Sequence, residues 1–524
     1  MAIEDIIWGK NNHIFGGMAP SNMLVFTASL LTNDATQVEI TARLPLKTTV
    51  NGQTLCTVAG VVIRKKIDGY PKDEFDGELV IDHSGVDNFT IRDTIVEGET
   101  VCYSAFPYSK QGVYNRNAKN RAAVNKSIAP SGGTYLYGFD LDTTSSDPGT
   151  RVTYPSDVDN SSYTPAVLNN LNDWNLTPGK KFMPRPCMLK YDGSVDYYLN
   201  PDDYTKKVDG TASDVSNSSY SGNAMMEWPK IYTKRWESDG VYHFRCSDYK
   251  IDDDYECWCN YDENNNEIDH FYTGIYRSSY LSEGGVQRHK SISGTTVSAS
   301  KNLTNERTYS QANGSNWDIE YLSDHLLIQD LLVLMGKSTD TQSIFGVGGG
   351  SSTLSTNGLT DKNGLFYGTS STSDLVKIFG MEDYWGVYYR RVLGLFMESG
   401  GTYAKITKGT KDGSSIKAFN TSNVVGYINL GSCLPTMKSG YISAMKTYSW
   451  GRLPISVSGS KTTYECDYYN SSSSSSDSYV ASIAGYYGTS SAEYRGAYSY
   501  SLNSKHTSAS TTTTSRLSYK PTKS

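Results

Sequence analysis

The stretch "SNWDIEYLSDHLLIQDLLVLMG", Ser315 to Gly336, is where a turn-rich, alternating sequence changes to helical periodicity. Its Ser-x-x-Asp opening is a capping pattern, and Gly336 suits a left-handed stop. Ile319, Leu322, Leu326, Leu327, Ile328 and the run from Leu331 to Met335 cover most of the helical faces. A helix that is apolar nearly all round is buried inside a domain, not laid upon it. The longest apolar run, Leu326 to Met335, is interrupted by Gln329 and Asp330 and is too short to span a bilayer, so membrane insertion is not expected. The chain is therefore expected to be mainly β with one long buried helix.

Composition points the same way. The 524 residues include 41 Tyr and 47 Gly but only 16 Pro, and 37% are apolar. Aromatic and β-branched residues are too frequent for a disordered chain. Tyrosine joins a flat apolar ring to a hydroxyl at little rotamer cost, which suits recognition surfaces. Fifty-five acidic against 48 basic residues give a net charge of −7 with no basic stripe, so nucleic acid is not an expected partner. The eight cysteines are too irregularly scattered for a disulfide framework, and free, mostly buried thiols formed in a reducing cytoplasm are expected. The opening "MAIEDIIWGKNN" has no basic region followed by an apolar core, so export by a signal peptide is not expected and release by lysis is.

Residues 1–20 read as an N-terminal arm. Between 21 and 117 the runs "LVFTASLL", "QVEITARL", "GVVIRKKI", "GELVIDH", "FTIRDTI" and "VCYSAFPY" predict six or seven short strands of a β-sandwich. In the fifth run Phe89, Ile91 and Ile95 share one face, as a half-buried strand requires. Residues 118–134 lose the alternation and read as a linker. A β-rich connector over 135–226 and one long section over 227–524 follow.

Several longer segments then carry a resemblance. "YGFDLDTTSSDPGTRVTY" (137–154), "PCMLKYDGSVDYYLNPDDYTKKVDGTASD" (186–214), "MMEWPKIYTKRW" (225–236), "YTGIYRSSY" (272–280), "RTYSQANGSNWDIEYLSDHLLIQDLLVLMGKSTDTQSIFGVG" (307–348), "MEDYWGVYYRRVLG" (381–394) and "RLSYKP" (516–521) occur in one order. That order resembles tail-associated and receptor-binding proteins of phages that infect Gram-positive and gut bacteria. The resemblance implies an Ig- or fibronectin III-like N-terminal module and a C-type lectin-like α+β domain at 227–524. It also implies a virion protein of a tail fibre, baseplate or other exposed appendage that binds a host-surface glycan or protein. The N-terminal region would attach to other virion proteins, as a homo-oligomer with a trimer favoured. A capsid head fibre is the alternative, and a glycan-degrading enzyme the less favoured one.

Within that frame Tyr384 and Trp385 are expected to pack on the long helix, with Gly386 allowing close backbone approach. Tyr388 and Tyr389 would point to opposite faces, leaving Tyr388 for a ligand. The Tyr- and Ser-dense tail, residues 469–510, offers Tyr486, Tyr487, Tyr494 and Tyr498 as rings for sugar stacking. Asp262, Asn264 and Asn266 begin a calcium-loop spacing, but Glu267 and Thr273 stand where that loop needs glycine and glutamate, so a solvated hairpin tip is expected, flanked by strands at "CWC" and "DHFYTGIY". Cys246, Cys257, Cys259, His243 and His270 lack the usual spacing of structural zinc ligands. No Ser-His-acid motif or nucleophile elbow stands out, Cys433 and Cys466 lie in no recognised oxidase context, and neither a cofactor nor an enzyme is expected.

Overall fold

Alternating side chains build the first part of the fold. Along Asp34–Arg43, Val38, Ile40 and Ala42 are buried while the residues between them are not, the period of two that puts one strand face into a core. The computed structural model describes residues 18–31, 34–50, 53–67, 69–95, 100–125, 135–175, 179–262, 264, 266–351, 355–398, 401–404, 428–431, 434–435, 438–471, 479–485 and 495–523. The protein is mainly β, and the chain divides into two units, Met1–Thr134 and Tyr135–Ser524.

In the first unit, Val25–Leu31, Asp34–Arg43 and Phe89–Thr94 form one antiparallel sheet. A second joins Lys47–Val50, Gln53–Ile67, Thr100–Ser109 and Arg121–Asn125, with Glu78–Ser84 also paired to Gln53–Ile67. One core unites them: Val38 and Ile40 from the first sheet meet Val61, Ile63, Val101 and Tyr103 from the second. Phe89 and Ile91 face inward and Ile95 is buried, as their spacing predicts. The linker boundary needs correction, because Arg121–Asn125 is a strand paired with Thr100–Ser109. Small and polar residues hid it by masking the alternation. The arm lies outside the described residues apart from its last three positions.

The second unit is woven from distant segments. A seven-stranded sheet runs in the order Asp203–Lys207, Val195–Asn200, Arg185–Lys190, Gly222–Pro229, His270–Gly274, Leu517–Tyr519, Trp317–Ile319. The proposed boundary at 226/227 therefore falls inside a strand, and connector and C-terminal section form one unit. A four-stranded sheet holds Val152–Thr153, Leu136–Asp142, Val241–Ser247 and Tyr232–Ser238. A larger sheet is centred on Tyr389–Glu398, Tyr479–Ile483 and Tyr500–Lys505.

Three α-helices occur among the described residues, Leu303–Gln311, Leu322–Gly336 and Thr341–Phe345, where the sequence suggested one. The long one begins at Leu322, not Ser315, because Trp317–Ile319 is drawn into the seven-stranded sheet beside Leu517–Tyr519. Asp318 then serves Arg307, whose Nη2 lies 2.9 Å away, instead of capping. The left-handed stop is Lys337 (φ 49°), one residue past Gly336. Every residue of Leu322–Gly336 is buried. None of the described helices is long and apolar enough to cross a membrane.

The two polar residues that interrupt the apolar run are ties. Asp330 accepts Arg235 Nε at 2.7 Å and Tyr242 Oη at 3.0 Å. Gln329 Nε2 donates to the Ala497 carbonyl at 2.7 Å and to Tyr500 Oη at 3.1 Å. Nearer the helix start, Lys520 Nζ reaches Asp324 at 2.9 Å. As expected, Tyr384 meets the helix, its hydroxyl 3.0 Å from His325 Nδ1. A Cβ on Gly386 would come within 2.6 Å of the Gly349 backbone nitrogen, so glycine is required there.

Two outcomes test this core. Leu331→Ala removes a side chain with no exposure and is expected to cost the second unit about 2–5 kcal/mol. Denaturation followed by tryptophan fluorescence measures it, since seven of the eight tryptophans lie at or after Trp174. The second concerns His289, buried with Nδ1 2.9 Å from Ser310 Oγ and held down to about 3 by burial, with the Arg516 charge adding to it. Between about 6.5 and that value the unfolded chain binds a proton that the folded one refuses, so stability falls as pH drops through this window. His289→Asn should flatten that part of the stability curve in urea titrations run across the same pH range.

Candidate functional site

The outer face of the four-stranded sheet borders a groove. Tyr232–Ser238 and Val241–Ser247 form a hairpin closed by Asp239 (φ 50°) and Gly240 (φ 76°), the Asp-Gly chemistry of a two-residue turn. Thr143 clamps the turn, its N–H and Oγ1 both donating to the Gly240 carbonyl at 2.9 and 2.7 Å. Register then sets the side chains in rows: Lys234 opposite Arg245, Trp236 opposite His243, and on the next strand Gly138 and Asp140. The intervening residues Arg235, Phe244 and Phe139 point inward and are buried.

Gly138 gives Arg245 its place. A Cβ there would meet Arg245 Cδ at 2.4 Å and the Phe244 carbonyl oxygen at 2.5 Å. Without it, the arginine lies across the strand, its Nη1 2.8 Å from Asp140 Oδ1 and 3.1 Å from the Phe139 carbonyl. Its Nη2 approaches Asp157 at 3.4 Å. Trp236 stacks on His243, ring centroids 4.6 Å apart and planes within 17°, with Arg245 5.4 Å from the indole centroid. His243 in turn sits between Asp140 Oδ1, 2.8 Å from Nδ1, and Ser238 Oγ, 3.0 Å from Nε2.

Ile251, Asp252, Asp254, Tyr255 and Asp157, together with Lys234, Trp236 and Arg245, line a groove of about 480 Å³. Lys234 reaches Asp254 at 2.8 Å and Asp252 at 3.1 Å. The hydrogen bond it donates to Asp254 leads in holding its ammonium above the ordinary range. The Asp254 and Asp157 side chains are 74% and 66% exposed, so both keep acceptor capacity for a ligand. Such exposed pairs add little to stability. The groove presents an indole ring, exposed carboxylates and the Lys234 ammonium, beside the buried Arg245 guanidinium, whose Nη1 is taken up by Asp140 and two backbone carbonyls.

The residues singled out in the sequence fall elsewhere. Tyr388 and Tyr498 are buried, at 8% and 1% exposure, so neither offers a ring face to a ligand. Tyr498 instead approaches Arg452, with Nη2 3.2 Å from its hydroxyl. Tyr486, Tyr487 and Tyr494 lie outside the described residues. The strand expected at "CWC" is absent, since Cys257–Cys259 turns and pairing is limited to bridges at Glu256 and Tyr261. Asp262 holds the turn and the chain end, accepting the N–H groups of Asn264, Asn266 and Lys523 at 2.8, 2.8 and 3.0 Å. Cys56, Cys187, Cys246, Cys257, Cys259 and Cys466 are free and buried, and Cys102 is buried. Among the described residues no group of three or more His, Cys, Asp or Glu comes together as a metal site.

Sequence reasoning missed the groove, although "KRWESDGVYHFR" carries the signal in its Asp-Gly turn between two alternating runs. Asp140 and Asp157 reach the site only through tertiary pairing. No protein-family model matches the chain, and no curated protein matches it; the chemistry of the site rests on its own geometry.

Gly138→Ala tests the construction. The added methyl is expected to cost about 1–3 kcal/mol through overpacking and to lift Arg245 off the strand, which thermal melting and a crystal structure of the variant would reveal.

Proposed function

We propose that the protein binds a glycan in the groove beside Trp236, and that it does so as a receptor-binding component of a phage appendage. The half-buried Trp236 ring, framed by Lys234, Arg245 and the carboxylates of Asp157, Asp252 and Asp254, carries the reading. The C–H face of a sugar gains by stacking on indole, while its hydroxyls donate to carboxylates and accept from the ammonium and guanidinium. Three carboxylates against two cations leave the groove close to neutral, which suits an uncharged or weakly charged glycan better than a polyanion.

The wider assignment keeps the order of segments that resembles phage receptor-binding proteins. On that reading the first unit is the Ig- or fibronectin III-like spacer and the second the lectin-like reader, displayed in several copies so that weak single sites gain avidity. The mainly β fold with two units supports this arrangement. Host-surface glycan is the partner, and virion proteins are the attachment point.

Titration of the full chain with soluble cell-wall glycan fragments from candidate hosts, followed by calorimetry, tests the site. Trp236→Ala is expected to raise Kd about tenfold, from loss of ring stacking. Unchanged affinity in a variant that melts like the parent would remove the groove from the binding surface.

A further inference from the structure

We infer that Ser238, His243 and Asp140 form an ester-cleaving site at the turn end of the groove, acting on O-acyl groups of the bound glycan. Three observations carry this. The hydrogen bonds run in series, Ser238 Oγ to His243 Nε2 at 3.0 Å and His243 Nδ1 to Asp140 Oδ1 at 2.8 Å. That is the nucleophile–base–orienter order in which a hydroxyl becomes a nucleophile, recognised by geometry and not by position in the chain. The hydroxyl is also accessible, since Ser238 is exposed, whereas His243 is shielded by the stacked Trp236 and its side chain keeps only 16% exposure. Finally, Ser238 follows Trp236 by two residues on one strand, so its side chain leaves the same sheet face as the groove-lining indole, about 7 Å further toward the turn. A sugar stacked on the indole therefore brings its substituents to Ser238.

Each group has a defined part. Asp140, paired also with Arg245 at 2.8 Å, is the positioning residue: accepting from Nδ1, it leaves Nε2 as the base. Ser238 Oγ attacks the ester carbonyl carbon as its proton passes to Nε2. The tetrahedral oxyanion collapses, the bond from carbonyl carbon to the sugar oxygen breaks, and that oxygen leaves with the Nε2 proton. Water then attacks the acyl-serine, again giving its proton to Nε2, and release of the carboxylic acid restores the hydroxyl. Net, ester and water become acid and alcohol. The amides of Asp239 and Gly240 directly follow Ser238 and have no hydrogen-bond partner among the described residues; they are the donors available to the oxyanion.

The choice of ester substrate rests on the glycan reading, but the test does not. The full chain is treated with a fluorophosphonate probe and mapped by peptide mass spectrometry, and p-nitrophenyl acetate turnover is followed in parallel. The expected result is phosphonylation at Ser238, which displaces fluoride, together with ester turnover. His243→Asn should lower both by about a hundredfold or more. Asp140→Asn should lower kcat by a similar factor with KM held, a split that a merely structural carboxylate would not give. An unlabelled Ser238 in the parent protein, or equal labelling in His243→Asn, overturns the site. Glycan binding without labelling discards this inference alone, whereas labelling without glycan binding keeps the triad and discards the groove as a sugar site.

Discussion

A carboxylate at the centre of a fully buried helix organises the second unit. Asp330 has no solvent to turn to, so leaving it unpaired would cost several kcal/mol. Arg235 and Tyr242 satisfy it together. Both sit on the hairpin that also carries the groove, and alternation makes the consequence direct. Arg235 points into the core, while its neighbours Lys234 and Trp236 point out. The interaction that ties the helix therefore also ties the strand that carries Lys234 and Trp236. Gln329 does the same toward the opposite sheet, so the two polar residues that shorten the apolar run locate the helix instead of weakening it.

Arginine extends this logic through the core. Arg277, Arg390 and Arg516 are buried close to one another, and burial with mutual repulsion holds Arg277 down to about 10 and Arg516 to about 9. They bond largely to backbone: Arg516 Nη1 to the carbonyls of Gly274 and Ile275, and Arg277 Nη1 to that of Tyr388. Arg390 Nε lies 2.5 Å from Glu320 Oε2 without the alignment of a hydrogen bond, while its Nη1 donates to the Tyr384 carbonyl at 2.7 Å. Carbonyls that irregular segments leave unpaired would otherwise be buried at a cost. The guanidinium fork supplies several donors at once, which is how so many loops are packed inside one unit.

What was legible in the sequence follows from range. The strands of the first unit and the inward face of Phe89 and Ile91 depend on local alternation and turn residues, and their positions agree with the runs from which they were read. The helix start did not, because pairing of Trp317–Ile319 with the chain end overrides a local cap. The short helix Leu303–Gln311 had its own signal, Asn302 accepting from the Asn305 N–H at 2.9 Å, set in a segment of weak helix formers. Domain division failed for the same reason as the helix start: a strand from near the C-terminus lies between strands from residues 270 and 317, and no composition shift marks such an insertion.

The tyrosines show why composition does not locate a ligand surface: of those expected to meet a ligand, Tyr388 and Tyr498 are buried. Their abundance suggested a recognition surface, yet a phenol also suits a polar core, where its ring packs and its hydroxyl closes a bond. Tyr242 to Asp330, Tyr384 to His325 and Tyr276 to Asp361 are all of this kind. A ring becomes available to a ligand when the fold leaves one face uncovered, and that is a property of its row on a sheet, not of its frequency in the chain. Trp236 stays half-buried, stacked on His243 and bordering the groove that Ile251, Asp252, Asp254 and Tyr255 also line. The same row places His243 between a carboxylate and a hydroxyl. Lys234, Trp236, Ser238, His243 and Arg245 thus share one hairpin, held by the Gly240 clamp at its tip and the Asp330 tie beneath it.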